Sequence, residues 1–139
     1  MAGFGQPAEP CPCGGERYAN CCEPFHLGKA RPVSAEQLMR SRYSAYSRGL
    51  IDYLIETHPS ELPQAQRRQA LKASNRGVRW TRLRITATEA GEAGDLTGTV
   101  TFEAHYRQVG HTNVLRECSR FGRQGEVLEG RWLYLDAEA

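Results

Sequence analysis

Four of the five cysteines fall within twelve residues, Cys11 and Cys13 as CPC and Cys21 and Cys22 as CC, with Gly14 and Gly15 after the first pair. Zinc takes four soft or borderline ligands in a tetrahedron, with metal–sulfur bonds near ~2.3 Å. CPC sets two thiolates on one tight turn. The glycines let the backbone bend around an ion and offer amide N–H groups to sulfur. CC returns two more thiolates across a seven-residue loop. The pattern reads as an all-cysteine structural site for one zinc ion, closed to substrate. His26, four residues past Cys22, is an alternative imidazole ligand. A redox role for Cys21 and Cys22 is less favoured, because a vicinal disulfide is strained and no C-x-x-C is present. An odd count of five, with Cys118 apart, also speaks against disulfide pairing.

Other groups with chemical potential are dispersed. His105 and Glu103 share a face of one strand, as do Glu117 and Ser119 on another, and either pair has the composition of a base with an orienting partner. Neither forms a known motif, and alternation on a solvent-facing sheet surface produces the same pairs. The surface reading is preferred, and His58 and His111 are assigned to the surface as well. Cys118 lies between Arg116 and Arg120, whose charge favours thiolate. An unreactive strand cysteine is the plainer expectation. Arg40, Arg42, Arg82, Arg84, Arg107, Arg116 and Arg120 suit an acidic protein, a phosphate or a single strand of nucleic acid, the last helped by interleaved Tyr and Trp. Glu36, Glu103 and Glu117 stand ready to pair with several of them. With a net charge of only +2 and just two lysines, Lys29 and Lys72, nucleic acid is not the expected partner.

These residues need elements to position them. At 139 residues, 40% hydrophobic and 24% charged, the chain fits one globular domain plus an appendage. Residues 10–28 carry too few aliphatic side chains to fold by apolar burial, and a structural metal contributes on the order of 10 to 16 kcal/mol to such modules. Residues 29–33 connect. Ser34 and Gln37 form a capping box, and Val33 with Leu38 occupies the positions of a hydrophobic staple. Leu38, Met39, Tyr43, Tyr46 and Leu50 then mark one apolar helical stripe, ended at Gly49. Further helices are expected over 51–57, before Pro59, and over 62–74, with Pro63 in the first turn and Gly77 beyond.

From Val78 the period becomes twofold. Leu83, Ile85 and Ala87, then Val100, Phe102, Ala104 and Tyr106, alternate with polar residues on either side of the GEAGD turn. Two more strands are expected at 112–121 and 130–136. Three helices and a four-stranded antiparallel meander make an α+β fold with the helices on one face. Tyr43, Tyr46, Trp80, Phe102, Tyr106, Phe121 and Trp132 are the candidate lining of an interior pocket, though core packing is the preferred reading, since such residues at helix and strand spacing normally fill the interior. The opening MAGFGQPAE lacks secretory features, and no stretch approaches the ~18 apolar residues of a membrane span, so a cytoplasmic location is expected.

The segment CPCGGERYANCC resembles the SEC-C motif, the zinc-binding element at the C-terminus of the SecA translocation ATPase. LMRSRYSAYSRGLIDYLIETHPS, RECSRF and GRWLYLD are similar to the YchJ family, which joins that motif to a domain like nuclear transport factor 2, a cone of helices on a curved sheet. The resemblance runs from Pro10 to Asp136. It implies a zinc knuckle over 1–28 and a conical α+β domain over 34–139, with Cys11, Cys13, Cys21 and Cys22 as ligands. The loop between Cys13 and Cys21 is one residue shorter than the family's usual eight, which keeps His26 in view. By the same resemblance the knuckle is a surface for a protein partner, and the larger domain binds a small or anionic ligand or forms a homodimer. The rival expectations are a small hydrolase or isomerase working in the cone, and an arginine-aromatic nucleic-acid binder.

Overall fold

The computed structural model describes residues 9–138. Residues 1–8 of the expected knuckle, which are most of the opening stretch MAGFGQPAE, and residue 139 of the expected domain lie outside the described residues. The elements run as a 3-10 turn (Tyr18–Asn20), α1 (Glu23–His26), α2 (Ala35–Arg48), α3 (Ile51–Glu56), α4 (Gln64–Asn75), β1 (Val78–Ala90), β2 (Thr97–Gln108), β3 (His111–Arg123), a second 3-10 turn (Gln124–Glu126) and β4 (Trp132–Ala137).

Ser34 starts α2 from an extended backbone, and its hydroxyl oxygen accepts the Gln37 N–H at 3.1 Å. Gln37 answers with its side-chain oxygen, which accepts the Val33 N–H at 2.9 Å. The capping box is therefore reciprocal, displaced by one residue. The staple is not made: Leu38 is buried but Val33 is 61% exposed. Gly49, at φ 71°, ends the helix in the left-handed conformation that only glycine adopts without cost. Leu38, Ala45, Leu54, Val100, Phe121 and Trp132 form the fully buried centre between α2, α3 and the sheet.

The sheet is an antiparallel meander, β1-β2-β3-β4. Pairing puts Leu83, Ala104 and Leu115 in one row and Ile85, Phe102 and Glu117 in another, all on the helix-covered face. Arg84, Glu103 and Arg116 form a row on the opposite face, as do Arg82, His105 and Val114. Register shifts in β1, between Trp80 and Arg82 and between Ile85 and Ala87, bend the strand across α2. The helix α4 has no fully buried residue; Leu71 packs on the edge of the core and polar clamps add to it. Asn75 donates to the Tyr46 carbonyl at 2.9 Å and accepts the Trp80 indole N–H at 2.8 Å. Arg68 pairs with Asp52, and Arg67 donates to the His58 carbonyl. No helix among the described residues is long and apolar enough to cross a membrane.

His58 is half-buried rather than on the surface, edge-on to the Tyr134 ring at 4.8 Å. Burial, then the charges of Arg42 and Arg67, push its pKa below the ordinary imidazole value.

Two outcomes are expected in urea unfolding. Ser34→Ala removes the cap and costs about 1 kcal/mol, whereas Val33→Ala stays within about 0.5 kcal/mol because its side chain is already in water. Between the lowered folded pKa of His58 and the unfolded value near ~6.5, the unfolded chain binds more protons. Stability is thus complete above the unfolded value and falls as pH drops through it. His58→Gln makes that acid-side decline shallower, leaving the part due to His26, which burial also pushes down.

Candidate metal centre and cavity

The cysteine site is assembled by two turns. The Gly14 N–H donates to the Cys11 carbonyl at 3.1 Å, closing the CPC turn, and the Cys21 N–H donates to the Tyr18 carbonyl at 3.0 Å, closing the turn before CC. The two meet at Gly15, where an added Cβ would lie 2.6 Å from Cys21 Sγ. The sulfurs of Cys11, Cys13, Cys21 and Cys22 all lie within 4.8 Å of one another. A tetrahedron of metal–thiolate bonds near ~2.3 Å has edges of about 3.8 Å. The Cys13–Cys21 and Cys21–Cys22 separations, 3.5 and 3.9 Å, fall on either side of that length. The donor set fits a thiolate-binding metal ion, and these four residues would hold it.

Crowding divides the thiols electrostatically. Hydrogen bonds from Cys13 and Cys22 hold Cys11 far below the usual thiol range. Its contacts with Cys11 and Cys13 push Cys22 far up, while burial and then Cys13 push Cys21 up to about 12. Four thiolates at this spacing repel, and a divalent cation among them removes the conflict.

Helix α2 supplies the outer contacts. The Ser44 hydroxyl, fully buried, lies 3.4 Å from Cys11 Sγ and donates to Cys22 Sγ at 3.3 Å. Arg40 donates to the Cys13 carbonyl at 2.9 Å while paired with Glu36. Arg48 pairs with Glu9 and lies over the Tyr18 ring, 3.9 Å from its centroid. His26 stands outside the sulfur cluster. Its Nδ1 is 2.6 Å from the Tyr18 hydroxyl and its Nε2 donates to the Ser41 carbonyl at 2.8 Å, so one ring nitrogen is occupied within the knuckle and the other joins it to α2.

A cavity of about 340 Å³ lies between α2, the end of α4 and the covered face of the sheet. Tyr43, Tyr46, Trp80, Phe102 and Tyr106 line it. Phe121 and Trp132 do not: both are buried in the core, with Arg123 stacked on Trp132 at 4.2 Å. Trp80 has three tyrosines around it, with ring centroids 5.8 Å (Tyr43), 5.9 Å (Tyr46) and 5.2 Å (Tyr106) away.

His105 and Glu103 lie on the uncovered face, where Glu103 also pairs with Arg116 at 3.1 Å and Arg84 at 3.8 Å. Cys118 shares that face. Arg120 makes a two-pronged pair with Asp136, and Arg107 reaches the Gly110 carbonyl. Most of the expected arginine patch is thus tied to carboxylates.

Glu117 and Ser119 depart from the expectation of a solvent-facing pair. Both line the cavity, and Glu117 Oε2 accepts from Ser119 at 2.6 Å and from Tyr134 at 3.1 Å. The signal was in the phase of the strand, since Leu115 and Phe121 share their parity. Arg42 also lines the cavity and is only 5% exposed. Its spacing from Leu38, Met39 and Tyr46 places it within the apolar stripe of α2.

A helical cone over a bent antiparallel sheet, carrying a four-cysteine knuckle ahead of it, defines the class of protein. The chain belongs to the YchJ family: residues 34–137 match its model, described as "YchJ, middle NTF2-like domain". A UPF0225 protein of Streptomyces coelicolor is 45% identical over 134 residues, covering 95% of this chain and 97% of that protein. One from Ralstonia nicotianae is 42% identical over 137 residues, covering 95% and 92%. Among solved structures, a SEC-C motif containing protein from Rhodopseudomonas palustris matches with TM-score 0.74 and 28% identity, over 94% of this chain and 98% of that one. Another from Psychrobacter arcticus matches with TM-score 0.74 and 25% identity, over 98% and 84%.

Gly15→Ala is expected to weaken metal binding roughly ten- to a hundredfold, the range for disturbing the surroundings of a ligand. Competition for zinc against a chromogenic chelator measures it.

Proposed function

We propose that the protein is a cytoplasmic, zinc-binding accessory protein whose knuckle presents a rigid surface to a protein partner, while the conical domain binds a small ligand or pairs with a second copy. The observation that carries the metal reading is the convergence of four sulfurs within 4.8 Å on a segment with little apolar surface of its own. Zinc is the metal of choice because four thiolates in a tetrahedron suit it and leave no open position for a substrate. The adaptor reading is supported by the knuckle's orientation. Its inner side is consumed by α2, and Glu16, Arg17, Ala19 and Asn20 are exposed on the other. Glu16, Arg17 and Asn20 ring a shallow depression beside Cys21, offering both charges and an amide to a partner.

A second reading, a small hydrolase or isomerase, is favoured by one observation, the inward-facing Glu117. Among the described residues no histidine lines the cavity, and two hydroxyls donate to one oxygen of Glu117, an arrangement suited to recognition more than to proton shuttling.

Native mass spectrometry should find one zinc per chain, absent from the Cys11→Ser, Cys13→Ser double variant. Affinity capture compares that variant with Arg17→Glu, Asn20→Ala, which keeps the metal. Loss of the same partner from both supports the adaptor. Recovery of an identical set by wild type and the cysteine variant eliminates it.

A further inference from the structure

The two charged side chains in the cavity do not pair with each other, and this separates them from the other charges of the domain. Arg42 is 5% exposed, and among the described residues no carboxylate lies within ion-pairing distance of it. Its Nη1 donates to the Leu54 carbonyl at 3.0 Å and to Thr57 Oγ1 at 2.7 Å, which fixes the guanidinium, and its plane lies by the Tyr134 ring, 4.8 Å from the centroid. Those two bonds use one of three nitrogens. Beyond these the guanidinium meets the Tyr46 side chain on the cavity wall, a neutral group, so its charge faces the cavity with no carboxylate partner among the described residues. Burying a guanidinium without a counter-ion is costly because the charge loses its water, and a fixed fork of N–H donors fits a carboxylate.

Glu117 presents the complementary half. Ser119 and Tyr134 hold its Oε2, and Oε1 makes no hydrogen bond to described residues. Tyr134 stands between the two charges, giving its hydroxyl to Glu117 and its ring face to Arg42. It therefore fixes both groups while keeping them apart. The remaining wall is aromatic, with Trp80 and its surrounding tyrosines offering flat surfaces.

We infer that the cavity binds a small zwitterion with an aromatic body, of the amino-acid type: its carboxylate on Arg42, its ammonium on Glu117 and its ring beside Trp80. A volume of about 340 Å³ is at the lower end for small-molecule sites and suits one such ligand. This rests on reading the conical domain as a ligand-binding domain and deepens it.

The test follows the two tryptophan indole resonances of isotope-labelled full-length protein during titration. Trp80 borders the cavity and Trp132 is fully buried outside it, so Trp80 reports binding and Trp132 reports integrity. The probes are phenylalanine, phenethylamine, phenylpropionate and toluene. Phenylalanine is expected to bind tightest, with phenethylamine and phenylpropionate each weaker by roughly ten- to a hundredfold, the value of one hydrogen bond to a charged group. Glu117→Gln brings phenylalanine down to the level of phenylpropionate and leaves phenylpropionate unchanged. If either singly charged probe equals phenylalanine, or toluene shifts Trp80 and phenylalanine binds no better, the zwitterion assignment is overturned while the ligand-site reading stands. If none of the four shifts Trp80, both fall.

Discussion

The structure depends on α2 being packed on opposite sides at once. At about 100° per residue, Arg40, Ser41, Ser44 and Arg48 fall on one side of the helix and Met39, Arg42, Tyr43 and Tyr46 on the other. The first set receives the knuckle through the Cys13 carbonyl, His26, Cys22 and Glu9. The second set walls the cavity. Ser41 and Ser44, with no exposed surface, are small enough to let neighbours approach. Ser41 donates to the Leu38 carbonyl at 2.8 Å and meets the Tyr53 hydroxyl at 2.7 Å, so burial leaves its oxygen satisfied.

The two faces of the sheet treat charge differently. On the uncovered face, Arg84 and Arg116 share Glu103, and Arg120 grips Asp136, so each group is neutralised in water, where such pairs are worth little. On the covered face, Arg42 and Glu117 are each fixed by neutral partners and neither has a counter-ion. Folding alone would favour an apolar pair of similar volume at those positions. The cost of keeping them is the physical reason to locate function inside the cone.

The architecture was legible because its signals are local. Ser34 with Gln37, Gly49, and the change to twofold period at Val78 each act within a few residues, and the cysteine cluster needs only a twelve-residue window. What misled was the treatment of polar residues as outward by default. Glu117 and Ser119 share parity with Leu115 and Phe121, and Arg42 shares the stripe of Met39 and Tyr46, so phase outweighed polarity in all three. Phe121 and Trp132 fell in the core because β4 packs against α2 and is tied to the end of α3 through the Tyr134 N–H on the Thr57 carbonyl, long-range contacts no periodicity reports. His26 was a plausible ligand by type; its two nitrogens are taken by Tyr18 and Ser41, contacts that depend on how the knuckle folds and docks.

Because α2 serves both halves, its rotation cannot adjust to one without disturbing the other. A shift of one residue in register would turn the helix by about 100°, carrying Ser44 away from the sulfurs and Arg42 away from the cavity together. The polar contacts resist such a shift at three points: Ser34 at the N-terminus, His26 on Ser41 midway, and Asn75 on Tyr46 near the C-terminus. The middle contact comes from the knuckle, which lacks an apolar core of its own. A metal ion that orders the knuckle would therefore also hold the helix that carries Arg42 and the aromatic wall. In this arrangement the cysteine segment is a brace for the cone as well as a surface turned toward solvent.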